Sequence, residues 1–136
     1  MAQNNERNPH KVLIPIGSLG AGLSKEVPGT KMLRDAVILN AHVIDRLGVA
    51  QNGTDHVLIK LRDHTASLDI ASVDTASGAL VALEGKDLVL VPSVGDQYAN
   101  PGDLVVDRGH SVSVSVASSG AAVLTDAVLV VELYYE

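Results

Sequence analysis

Ser111-Val112-Ser113-Val114-Ser115-Val116-Ala117 alternates small polar and β-branched side chains without a break. Successive side chains of a strand point to opposite faces, so Val112, Val114 and Val116 form one apolar row and the serines the other. No helix of period 3.6 would gather these valines into one stripe. The row needs a second layer to cover it, while the serine face can meet water or a flat partner. The stretch predicts a strand in a two-layered β protein.

Neighbouring segments follow the same logic. Asp35 to Asp45 is the longest strand candidate. Val37, Ile38, Ala41 and Ile44 would share a helix face, but the branched residues and the later Asn52-Gly53 turn favour a strand. Asp55 to Arg62 places Val57, Ile59 and Leu61 on one face, and Ala66 to Val73 alternates again through Leu68 and Ile70. Ser77-Gly78 and Glu84-Gly85 are turns on either side of Ala79 to Leu83, and Lys86 to Val91 follows. After a loop over Pro92 to Pro101 come Leu104 to Val106, the alternating strand, a Ser118-Ser119-Gly120 turn and a last strand over Ala127 to Tyr135. About eight or nine short strands with turn residues between them predict an all-β fold, an antiparallel sandwich or jelly roll.

The front of the chain reads differently. Met1 to Pro9 is polar and is expected to be an arm. Lys11 to Ile16 predicts a short strand, at an edge because of Pro15. Gly17 to Thr30 holds four glycines and Pro28 and reads as an extended loop. The expected organisation is an extended N-terminal arm over 1–33, with a short strand and a long loop, and a sandwich over 34–136.

Composition narrows the function. At 136 residues and 46% hydrophobic, the chain suits one domain with a real core. It has no Phe, Trp or Cys, and its only tyrosines are Tyr98, Tyr134 and Tyr135. The core must come from Val, Leu, Ile and Ala, and the ring platforms of sugar-binding and single-strand nucleic-acid modules are missing. A net charge of −6 without a basic cluster argues against nucleic acid. Cysteine chemistry is excluded. No apolar run reaches the roughly 20 residues of a membrane span, and residues 1–10 lack the apolar core of a signal peptide. The expectation is a soluble protein made in the cytoplasm, with no membrane partner.

No constellation names a catalyst. Two Asp-His pairs, Asp55-His56 and Asp63-His64, lack the spacing of a metal site and read as polar residues at strand ends. Gly17 to Gly22 is glycine-rich without the Gly-Lys-Ser/Thr ending of a phosphate loop or the spacing of a nucleophile elbow. Asp69, Asp74, Glu84 and Asp87 could supply a hydrolytic carboxylate pair, but acidic residues beside turns are usually solvated. Asp96, Asn100 and Asp103 fit turns better than a calcium loop. Catalytic residues, cofactors and metals are all expected to be absent.

Arg34 to Glu136 resembles the jelly-roll decoration (cement) proteins of tailed-phage capsids. The residues carrying the resemblance are Asp35 to Asp45, Val57-Leu58-Ile59-Lys60-Leu61, Ala66-Ser67-Leu68-Asp69-Ile70-Ala71 and Asn100-Pro101-Gly102-Asp103-Leu104-Val105-Val106. The alternating strand, the Ser-Ser-Gly-Ala turn and the closing Val-Leu-Val-Val-Glu-Leu strand complete the pattern. The resemblance implies a virion protein on the outer capsid surface, a homo-oligomer (dimer or trimer) that bridges neighbouring major capsid subunits. Residues 1–33 match nothing in that pattern. The basic residues Arg7, His10 and Lys11 are candidates there for contact with an acidic capsid rim. The alternatives are a head-fibre or host-glycan-binding sandwich, a cupin-like metalloenzyme, and a minor tail component.

Overall fold

A computed structural model describes residues 9–90 and 104–135. Its strands are β1 His10–Leu19, β2 Ser24–Lys31, β3 Ala36–Ile44, β4 His56–Asp63, β5 Leu68–Asp74, β6 Lys86–Asp87, β7 Val89–Leu90, β8 Leu104–Val106, β9 Ser111–Ser119 and β10 Leu124–Tyr135. Among the described residues there is no helix. The strands form two antiparallel five-stranded sheets, the front one ordered β1-β10-β3-β6 with β8 also on β3, the back one β2-β9-β4-β5-β7. Most connections, β1 to β2, β3 to β4, β5 to β6, β8 to β9 and β9 to β10 among them, pass from one sheet to the other. The all-β jelly-roll sandwich expected from the sequence is the fold observed.

The alternating segment is an inner strand of the back sheet, between β2 and β4. Val114 and Val116 are fully buried and Val112 nearly so, flanked by Ile59 and Leu61 of β4 in the same sheet and sharing the core with Leu129, Val131 and Leu133 of the front sheet. On β4, Val57, Ile59 and Leu61 have no exposed surface, and the residues between them are half-buried. Period-2 patterning therefore works as a sheet with one face in the core requires. The opposite face is less open than expected, since Ser113 is only 5% exposed and its hydroxyl is hydrogen-bonded to Glu26.

The front of the chain departs from expectation. Gly17 to Thr30 is not a loop, because β1 runs on to Leu19 and β2 starts at Ser24, pairing with β9 in a register that sets Val27 beside Val114. The turn is confined to the residues around Gly20 and Leu23, closed by a 3.2 Å hydrogen bond from Leu23 N to the Gly20 carbonyl. β1 lies along β10, with His10 opposite Leu133. Ile14, Ile16, Leu19 and Met32 sit in the same core cluster as the later strands. From His10 onward the residues expected to form an arm are instead the outer strands of both sheets. Glycine and proline signals hid β2, which tolerates Pro28 because it is an edge strand.

Two later segments also differ. Ala79 to Leu83 is not a strand: Leu80 makes one bridge to Val49, and the rest is a turn in which Leu83 takes φ 62°. Lys86 to Val91 is split, because the chain changes sheets at Leu88. Lys86 and Asp87 pair with β3, Val89 and Leu90 pair with β5, and the Leu88 side chain is buried between them. The expected loop over Pro92 to Pro101 lies outside the described residues.

Candidate functional site

Strand direction sorts the loops into two ends. The turn after β1, the loops after β3 and β5 and the turn after β9 gather at one end, here called the crown. The link from β2 to β3, the β4–β5 turn and the segment 107–110 gather at the opposite end, the base.

The crown is held by carboxylates. Asp45 is completely buried, and its oxygens accept hydrogen bonds from Leu47 N at 3.2 Å, Gly48 N at 2.7 Å and Thr125 N at 2.7 Å. Leu83 N donates to the Asp45 carbonyl at 2.9 Å, so the loops after β3 and β5 are fastened together. Asp55 receives Ala121 N at 2.8 Å, and Gly120, at φ 68°, lies so close that a Cβ would overlap the Asp55 carboxylate. Ser118 receives Gly22 N and donates to the Ala122 carbonyl, tying the β1–β2 turn to the β9–β10 turn. On this pinned backbone stand Leu23, Leu47, Val81, Leu83 and Val123, from 44% to 72% exposed. Large apolar side chains gathered at one end of a sandwich mark an interaction surface more often than chance exposure. Leu83 adds strain, because a left-handed conformation costs a residue with a Cβ roughly 1–2 kcal/mol.

Toward the base, the outer face of the back sheet carries an open groove of about 500 Å³. β2 makes it by bulging. Pro28 pairs with Ser113 and Lys31 with Ser111, so Gly29 and Thr30 together face Val112. Gly29 is required there, since a Cβ would come within 2.7 Å of the Val112 carbonyl oxygen. Glu26 Oε2 accepts hydrogen bonds from Ser113 Oγ and from His64 Nδ1, both at 2.7 Å, and Arg62 Nη1 stands 3.6 Å from Oε1. The Ser113 hydroxyl, then His64, holds the Glu26 carboxyl below the ordinary carboxylate value. Asp69 accepts Arg62 at 3.0 Å and Lys60 at 3.2 Å, extending the charged face onto β5.

The residues of the two Asp-His pairs, read from the sequence as polar residues at strand ends, are engaged with other partners. His64 turns to Glu26, while Asp63, 1% exposed, meets His110 Nδ1 at 3.0 Å. That hydrogen bond raises the His110 pKa above the ordinary imidazole value. His56 Nδ1 lies 2.9 Å from Asp74 Oδ1 but is not aligned for a hydrogen bond. Asp69 and Asp74 are on β5, whereas Asp87 is across the sandwich on β6 beside His42 and Glu84 is in the turn before it. Among the described residues no three His, Cys, Asp or Glu side chains stand close enough to hold a metal ion.

Of the basic residues expected to meet a capsid, Arg7 lies outside the described residues. His10 and Lys11 open β1 at the base end and are exposed. His10 packs its ring against Tyr135, centroids 5.2 Å apart and tilted 50°. Lys11 stands opposite Glu132 in the ladder. The crown and groove were missed from sequence because both depend on register and loop packing. The lone visible signal was apolar residues placed next to turn residues, as in Leu47-Gly48 and Leu83-Glu84-Gly85.

No family model matches the sequence, and no curated protein is similar to it. Among solved structures, the Clostridium thermocellum N-terminal endo-1,4-β-D-xylanase 10B, its CBM22-1–GH10 modules complexed with xylohexaose, superposes with a TM-score of 0.36 at 12% identity. The match covers 95% of this chain and 25% of that one, so the chain spans about a quarter of its length. A likeness this slight carries no argument about function.

Proposed function

We propose that the chain is a non-enzymatic structural module that binds the outside of a phage capsid and cements neighbouring major capsid subunits. The observation that carries this reading is the crown, where Leu23, Leu47, Val81, Leu83 and Val123 stand exposed on loops locked by Asp45, Asp55 and Ser118. Apolar side chains on a rigid backbone lose little freedom on docking, so more of their burial appears as affinity. Such a surface suits a permanent partner. The sequence resemblance over Arg34 to Glu136 supplies the kind of partner, a protein shell. In this reading the crown inserts between shell subunits, and His10 and Lys11 at the base, together with Arg7 before them in the sequence, reach a neighbouring subunit or a second copy of the chain.

The test is co-sedimentation of the purified protein with capsids of its source. Saturable binding at a fixed ratio to the shell subunit is expected. Replacing Leu47 and Leu83 together with serine should weaken it at least about tenfold, equivalent to about 1.4 kcal/mol, at unchanged fold. Removing residues 1–9 should lower occupancy by taking Arg7 from the second contact. No saturable binding to either mature or unexpanded shells would overturn the proposal.

A further inference from the structure

We infer that the groove on the outer face of the back sheet is a binding site for a hydroxyl-rich ligand, a saccharide residue. This goes beyond shell binding and uses a different surface, since the groove lies toward the base and shares no residue with the crown.

The argument starts from what the groove offers. Polyhydroxylated ligands need donors and acceptors alternating over a few ångströms, with a small apolar patch for their C–H faces. Here Glu26 is an acceptor fixed in place by Ser113 and His64, both at 2.7 Å. With Nδ1 committed to Glu26, the His64 ring presents Nε2, for which no partner occurs among the described residues. Nε2 accepts when the ring is neutral and donates when it is charged. The His64 side chain is 63% exposed, so Nε2 is open to a ligand. Lys31 and Ser111, opposite each other in the ladder, line the groove further along, and Lys31 provides an ammonium donor. The exposed Pro28 ring supplies the apolar patch.

The mixture of groups excludes simpler ligands. The Glu26 carboxylate stands beside the cations Arg62 and Lys31, so a small anion meets Glu26 and a free cation meets Arg62 and Lys31. A neutral ligand carrying several hydroxyls meets no such conflict. The groove is also built rather than incidental. The bulge that opens it needs Gly29, and the Pro28 ring on its wall removes one backbone donor from the β2 edge. A site with one apolar wall and no aromatic ring binds weakly, which suits a ligand repeated on a surface and met by many copies of the protein at once.

The test is NMR of the isolated protein with labelled histidines, following His64 during titration with soluble oligomers of glucose, galactose and N-acetylglucosamine and with sialyllactose. At least one sugar should shift His64 saturably at concentrations of about 10 mM or below. His64→Ala should weaken that binding at least about tenfold when backbone amides of β2 and β9 report it. Leu83→Ser, at the far end, should leave it unchanged. The site is overturned if no sugar moves His64 or the Ser113 amide, or if His64→Ala binds as well as the parent. Because no capsid is present, failure here leaves the shell reading intact, and failure to co-sediment leaves this site intact.

Discussion

His110 and Glu26 give the molecule opposite responses to pH. The folded-state pKa of His110 lies above its ordinary value of 6.5, owing first to its hydrogen bond with Asp63. The charged ring is therefore favoured by folding, and its contribution is complete below that ordinary value and lost as pH rises through the folded value. Glu26 is held below its ordinary 4.5, so its contribution is present above that value and lost as pH falls through the folded one. Thermal melts should show Tm falling as pH rises from about 6.5 through the folded His110 value. His110→Gln should flatten that slope, and a slope surviving the substitution would assign it elsewhere. Asp45 carries a larger load. Asp45→Ala strands three crown N–H groups and should cost about 3 kcal/mol in urea unfolding. The sequence could not show this: an Asp at the end of an apolar run looks like a strand terminus, and its three donors come from residues as far along as Thr125.

At the level of elements, what was legible followed local patterning, and what was hidden followed long-range pairing. The row of Val112, Val114 and Val116 could be read directly, as could β3, β4 and β5 to within a residue or two, because one face of each meets the core. β2 was hidden because its inward residues are Lys25 and Val27, between glycines and before Pro28, and only its register with β9 makes it a strand. The broken β6–β7 segment was hidden because a change of sheet at Leu88 leaves no mark on an apolar run. These differences make distinct predictions for truncation. Removing residues 1–9 should leave the melting transition within about 0.5 kcal/mol of the full chain, since no described strand is touched. Removing residues 1–16 takes Ile14 and Ile16 from the core and should abolish cooperative unfolding. In β9, Val114→Ala should cost about 2 kcal/mol, because a fully buried side chain loses two methyl groups.

For the whole molecule, stability and the proposed shell contact meet at the crown. Leu83→Gly relieves a left-handed backbone while deleting an exposed apolar contact. It should raise stability by about 0.5 kcal/mol, the strain relief less the added chain freedom of glycine, while weakening attachment to the shell. Loss of stability with unchanged attachment would show that Leu83 serves the fold instead. Neither surface could be read from the sequence, because each joins residues from strands far apart along the chain. The pairing of β1 with β10 has one further effect. His10 and Leu133 are ladder partners, so both ends of the described chain emerge side by side at the base. A pull that separates the two ends would open that ladder like a zipper, one hydrogen-bonded pair at a time. A pull between the crown and the start of β1 would instead load many of the same bonds together, in shear, because they lie perpendicular to the strands. The same protein would thus be mechanically soft when stretched by its ends and stiff when tensioned along its strands.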